Sequence, residues 1–412
     1  MAEKNISLFE LSNGLRIVHQ QVDSEVAHCG LIIQAGSRDE MPGEEGLAHF
    51  IEHSIFKGTK KRRAYHIMNR LDSVGGEIDA YTSKENTCYH ASFLKIHYER
   101  AIELLSDIVF HSTFPQKELE KEKEVVIDEI SVYLDNPFEQ IYDDFEDLIF
   151  KGHPLGHPVL GSADTIRGFD KKMILDFTSR LYSPENMVFS SVGNITSKKL
   201  QKILEKHFSE SGFGPTSRRR QAFLDYEPHS LAVEKSTNQS HCLFGTVAYG
   251  ISNPKKNGMA LLNNLLGGPA MNSILNMQVR EKYGYTYNIE SNYNIFSDTG
   301  IFSIYLGTDP KYAQKCIEIV KKELNKLRGK KLSPTKLQKA KEQMKGQIAL
   351  GRESNSSLML YYGKSLLYHN KLKSVEEVYH ELEAITADEL FEISNEILDP
   401  ENFSYLTYVG KK

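Results

Sequence analysis

Three pairs of segments recur in the same order and at nearly the same offset along the 412 residues. Val26-Ala27-His28-Cys29 is matched by Gln239-Ser240-His241-Cys242, and Gly46-Leu47-Ala48 by Gly258-Met259-Ala260. Pro184-Glu185-Asn186, leading into an apolar strand that closes on Val192-Gly193, returns as Pro400-Glu401-Asn402 before Val409-Gly410. Three matches in register mark an internal duplication. The chain is therefore expected to fold as two homologous halves of about 200 residues, each large enough for its own core. The expected boundaries are 1–210 for the first half, 211–228 for a linker rich in Gly, Ser and Arg, and 229–412 for the second half.

Each half mixes two periodicities. In the first, alternation predicts strands at Leu8–Val18, Ala27–Gln34 and Glu77–Phe93. Helical spacing of apolar residues predicts helices at Gly46–Phe56, Ala64–Val74, Tyr98–Phe110, Gln116–Leu134 and Lys171–Leu181. Strands and runs of helices without regular βαβ alternation indicate an α+β fold: two homologous α/β-roll halves, each a mostly antiparallel sheet with helices on one face.

The duplication also separates a chemically equipped half from a plain one. His49 and His53 stand four apart, so a helix projects both imidazoles from one side, about one turn apart. Glu52, on the same side, can reach water at a metal held between them. Leu47, Phe50, Ile51 and Ile55 supply the apolar remainder, and Glu44 and Glu45 sit at the favourable end of the helix dipole. This H-x-x-E-H order is the inverted zincin pattern, far more specific than two histidines alone. At the aligned positions the second half carries Leu261, Asn264 and Leu265, none of which offers an equivalent donor set.

A catalytic zinc takes three protein ligands and keeps one position open. The acid-rich helix Gln116–Leu134 is the natural source of the third. Glu122 and Glu129, seven apart, share a face with Val125 and Val126. Spacing does not choose between the two acids. The remaining acids of that helix read as a solvated face.

Composition narrows the field. A net charge of -5 with both signs interleaved argues against a nucleic-acid partner. No apolar run reaches the roughly 18 residues of a membrane helix. The opening residues have neither the core of a signal peptide nor the Arg bias of a transit peptide. Cys29, Cys88, Cys242 and Cys316 are widely spaced and read as reduced structural thiols, so the expected location is cytoplasmic. Arg218-Arg219-Arg220 reads as solvated linker. The prolines of His153-Pro154-Leu155-Gly156-His157-Pro158 forbid a helix that would align its histidines, which makes this a fixed turn. Gly267-Gly268-Pro269 lacks the Lys of a phosphate loop and reads as a turn as well.

The residues His49-Phe50-Ile51-Glu52-His53 with Phe56-Lys57-Gly58-Thr59, and Gly75-Gly76-Glu77-Ile78-Asp79-Ala80-Tyr81-Thr82, resemble the pitrilysin/insulinase family of zinc peptidases. The likeness spans essentially the whole chain. It is to the short-chain type that includes the mitochondrial processing peptidase β-subunit and its bacterial relatives. The resemblance implies one Zn²⁺ per chain on His49, His53 and Glu129, with Glu52 as general base and Glu122 behind the ligands. It also implies that Arg280 and Tyr287 of the second half stabilise the oxyanion. Alone, these two are an arginine at a helix end and a tyrosine in a strand. Substrate is implied to lie extended along the strand containing Asp79, Ala80, Tyr81 and Thr82, with Phe56 lining a pocket. The implied architecture is a clam shell, paired as a homodimer around a chamber that admits peptides or unfolded polypeptide. Relatives commonly carry Asn where this chain has Asp79, which leaves side-chain preference open toward basic or polar residues. The rival expectation is a non-catalytic peptide-binding or scaffold subunit.

Overall fold

The computed structural model describes residues 5–209, 214, 216 and 220–411, which fall into two compact units. The first unit holds residues up to 131, 157–220 and 350–374, and the second holds 132–156, 221–349 and 375 onward. Each unit therefore takes a segment from the other half of the sequence.

The first unit is built on a six-stranded sheet. Its strands are β1 (Ile6–Glu10), β2 (Arg16–Gln21), β3 (Val26–Ile33), β4 (Glu77–Thr82), β5 (Thr87–Leu94) and β6 (Met187–Gly193), in the order β1-β2-β6-β3-β5-β4. All neighbours run antiparallel except β2 and β6. The single strand expected at Leu8–Val18 is a hairpin. Its turn needs Gly14, whose φ of 86° lies in the left-handed region that side chains avoid.

One face of this sheet carries α1 (Leu47–Ser54), α2 (Ala64–Asp72), α3 (Tyr98–His111) and α4 (Gln116–Leu134), together with the helix Lys171–Leu181. The core beneath them includes Leu31, Phe50, Ile51, Ile102, Leu105, Val126 and Phe189. The opposite face, which the sequence left without helices, is covered by the helix Asn355–His369 from the second half. Its Leu358, Met359, Tyr362 and Leu366 bury against Val18, Ile32, Cys88, Val188 and Val192. Each such side chain contributes roughly 1.5–3 kcal/mol of burial. Gly363 brings this helix so close to Ile32 that a Cβ would collide.

The second unit repeats the design. Its strands β7 (Ser230–Lys235), β8 (Ser240–Tyr249), β9 (Thr286–Ile295), β10 (Thr299–Thr308) and β11 (Ser404–Gly410) lie in the order β7-β11-β8-β10-β9. This is the order of the first sheet without β1. The helix Lys256–Gly267 stands where α1 stands, and α5 (Pro137–Ile149) is the borrowed helix. Its Ile141, Phe145 and Ile149 pack with Leu243, Ile301, Leu406 and Tyr408. The duplication read from the sequence is thus present strand by strand.

Arg218 and Arg219 lie outside the described residues. Arg220 does not behave as solvated linker. It makes two 2.8 Å hydrogen bonds to Asp39 and lies 3.1 Å from Glu85, which also pairs with Arg38 at 2.7 Å. A guanidinium with two carboxylates in reach is worth burying, whereas spacing alone shows only a charge run. His153 forms the expected turn: its ring accepts from the Leu155 amide and meets the Gln221 carbonyl. No helix among the described residues is long and apolar enough to cross a membrane.

Candidate metal centre

The centre begins at the N-terminus of α1. Gly46 has a φ of 93°, and a Cβ there would press on the backbone of Leu160 and Gly161. The first amides are capped by buried Glu40, whose oxygens accept from Gly46 at 3.0 Å and Ala48 at 2.8 Å. Glu44 and Glu45, expected to favour this helix end, are turned elsewhere. Glu44 pairs with Arg180, and Glu45 accepts from Gly43. Glu40 escaped the sequence reading because it precedes the helix by a loop, and only the fold brings it back.

On this fixed helix, His49 and His53 hold their ring centroids 4.6 Å apart. Glu129, from α4, completes a group whose ligand atoms all lie within 4.8 Å of one another. Its carboxylate is 3.4 Å from His53 Nε2 and 3.9 Å from His49 Nε2. Ligand atoms about 2.0–2.1 Å from one tetrahedral ion sit about 3.4 Å apart, so the donor set fits Zn²⁺ with small adjustments. Burial and the neighbouring His53 push the His49 pKa down to about 3, which keeps that imidazole neutral with a lone pair free to coordinate.

Glu122 takes a different place. It is buried, accepts from His53 Nδ1 at 3.0 Å, and pairs with Lys57 at 2.6 Å. The two acids that spacing could not rank therefore bracket the two nitrogens of one imidazole. Burial works against an ionised Glu122, yet His53 and Lys57 together hold its pKa below the ordinary carboxylate value. Burial likewise opposes a charged His53, and the surrounding acids outweigh it and raise that pKa. Val126 lies on the buried face of α4, but Val125 is 51% exposed and does not line the site with the two acids.

Glu52 faces the same space. Its Oε2 accepts a 2.6 Å hydrogen bond from the Thr82 hydroxyl on β4. Burial raises its pKa, against the opposing pull of Thr82 and His53. Alternation along β4 divides the four residues expected to bind substrate. Ile78 and Ala80 lie on the α1 side with Thr82, whereas Tyr81 packs on the opposite face with the helix Asn355–His369. Asp79 shares the face of Tyr81 and accepts from the Ala80 amide. Phe56 is half-buried against the core, edge-on to Tyr89.

Arg280 and Tyr287 belong to the second unit. Arg280 lies in a wide helical turn, Asn276–Glu281, with its guanidinium 5.2 Å over the ring of Tyr287, which is 81% exposed at the start of β9.

Residues 16–163 match the model of the insulinase family, peptidase family M16, and residues 168–344 match the peptidase M16 inactive domain. The chain belongs to the insulinase family. Among its insulinase-family relatives, an uncharacterized zinc protease of Bacillus subtilis is 34% identical, over 93% of each chain. An uncharacterized zinc protease of Streptomyces coelicolor is 31% identical over 94% of this chain and 86% of its own length. A solved protease from Helicobacter pylori shares the fold at a TM-score of 0.90 and 23% identity, covering 99% of this chain and all of its own (100%). The description of the second matching model as inactive agrees with the absence of His and Glu at Leu261, Asn264 and Leu265.

Proposed function

We propose that this insulinase-family chain is a zinc-dependent endopeptidase that cleaves peptides or unfolded segments bound as an extended strand. The observation that carries the reading is the convergence of His49, His53 and Glu129 beside a carboxylate, Glu52, held by its own hydrogen bond. Zinc on those three donors supplies a Lewis acid that polarises a carbonyl and brings the pKa of water toward neutrality. Glu52 takes the proton of the attacking water on the oxygen not engaged by Thr82, then delivers it to the departing amine. Its raised pKa suits both steps. Glu122 orients His53 and fixes which ring nitrogen is left to coordinate. The roles proposed for Arg280 and Tyr287 are donors to the developing oxyanion.

β4 supports the substrate assignment. It is the last strand of its sheet, so one row of its backbone groups faces away from the sheet toward the edge where an incoming chain pairs, and main-chain bonds supply affinity with little sequence demand. Pairing of two copies into a closed chamber belongs to the same reading and is checked by sedimentation.

The test is hydrolysis of a quenched fluorescent peptide by protein of measured zinc content. The expected result is activity that chelator removes, zinc restores and Glu52→Gln abolishes. Activity indifferent to chelator overturns the mechanism. Peptide binding without hydrolysis by zinc-loaded protein makes the chain a non-catalytic binding subunit.

A further inference from the structure

Beyond the metal centre, we propose that Asp79 determines specificity at the β4 edge. Its carboxylate occupies the strand's central outward N–H and yields it most readily to an extended peptide with a basic side chain opposite. The extended peptide itself is taken from the reading above.

Three main-chain bonds fix which backbone groups of β4 face outward. Lys95 N donates to Glu25 O at 2.8 Å, and Gln34 N donates to Asn186 O at 3.0 Å. Since bonding direction alternates along an antiparallel strand, the odd-numbered residues of β3 bond β5. The even-numbered residues of β5 then bond β4, and the register pairs Glu77, Asp79 and Tyr81 with Ser92, His90 and Cys88. The hairpin bond from Ser83 N to Asn86 O agrees with this phase. Ile78, Ala80 and Thr82 are left with their N–H and C=O groups at the open edge. These are the groups an added strand must use.

The middle donor is already engaged: Ala80 N donates to Asp79 Oδ1 at 2.8 Å. An incoming peptide carbonyl must displace a carboxylate, and a charged acceptor binds an amide more strongly than a neutral one. The displaced carboxylate then needs a partner. Asp79 makes no ion pair with any described residue, and burial lowers the pKa of its cross-strand neighbour His90 in spite of the opposing pull of Asp79 itself. A lysine or arginine on the incoming strand, at the position paired with Asp79, meets that need. A neutral residue there leaves the competition unrelieved, and an acidic one worsens it.

The experiment walks a single lysine through a neutral peptide, against wild type, Asp79→Ala and Asp79→Asn, each checked by melting temperature. Binding is read by fluorescence anisotropy in chelator, and cleavage is read separately after zinc loading. Wild type is expected to favour lysine over glutamine at one position about ten-fold, the scale of a hydrogen bond to a charged group. Asp79→Ala should bind the neutral parent about ten-fold more tightly than wild type and lose the lysine preference. Asp79→Asn, which keeps shape and acceptor, should lose the preference too. A preference that survives in both variants, or is absent from wild type, overturns the proposal. Binding that follows the expected pattern without cleavage supports the proposal and defeats the peptidase reading. Chelator-sensitive cleavage with unchanged preference does the reverse.

Discussion

The Thr82 hydroxyl donates a 2.6 Å hydrogen bond to Glu52 Oε2, tying the edge strand to the helix that carries both histidines. One carboxylate oxygen is thereby fixed and the other is left for proton transfer. Thr82→Val keeps the shape and β propensity and removes the donor. It is expected to lower kcat about ten-fold, since one hydrogen bond to a charged group is at stake. KM and zinc content should stay within two-fold, the latter being a readout independent of turnover, and Thr82→Ser should recover most of the loss. A rise in KM with kcat unchanged would instead make Thr82 a substrate contact.

Glu122 stands behind His53, and Lys57 stands behind Glu122. Groups that orient a metal-bound histidine typically contribute about 10–100-fold to metal affinity. Glu122→Gln is therefore expected to weaken zinc binding by about that factor in competition with a chromogenic chelator. Lys57→Met should weaken it less, because the hydrogen bond to His53 survives. Equal zinc affinity in all three proteins would show that His53 needs no such support.

Much of this centre was legible from local spacing. His49, Glu52 and His53 depend only on the 3.6-residue repeat, and the ends of α4 fall at Gln116 and Leu134 as expected. What escaped was long-range. Neither α5 nor the helix Asn355–His369 is among the expected helices, and nothing local to either segment shows that it lies on a sheet from the other half of the sequence. Arg220 read as linker because its partners Asp39 and Glu85 are far away in sequence. Spacing alone could not rank Glu122 and Glu129; the resemblance implied their order, and the position of His53 between them gives its physical reason. The hairpin at Leu8–Val18 was missed although Asn13-Gly14 is itself a turn signal.

Arg220 offers a test of stability apart from chemistry. Its side chain is 11% exposed, and it neutralises Asp39 and Glu85 beside the loop that leads to the Glu40 cap. Removing one partner of a buried ion network typically costs about 3–5 kcal/mol, because the remaining charges stay buried. Arg220→Ala should lower the urea midpoint by a matching amount, followed by circular dichroism since the chain has no tryptophan. Arg220→Lys should recover only part, having lost the bidentate geometry. A loss below about 1 kcal/mol would place this cluster in contact with water.

Acid should destabilise the protein from neutrality downward, and His19 contributes to this. It is fully buried on β2, with Nε2 2.9 Å from the Ile195 carbonyl, and burial holds its pKa below the ordinary value near 6.5, outweighing its backbone hydrogen bonds. The sign follows from proton uptake. Below pH 6.5 the unfolded chain protonates this histidine while the folded one does not, so stability falls by up to about 1.4 kcal/mol per pH unit until the folded pKa is reached. His28, His90 and His241 have pKa values lowered by burial in the same direction, so the full slope belongs to several groups. His19→Gln can keep a donor for Ile195 and cannot titrate. Its unfolding free energy should therefore fall less between pH 7 and pH 5.5 than that of wild type. Parallel curves for the two proteins would mean that His19 is protonated in the folded state as readily as in the unfolded chain.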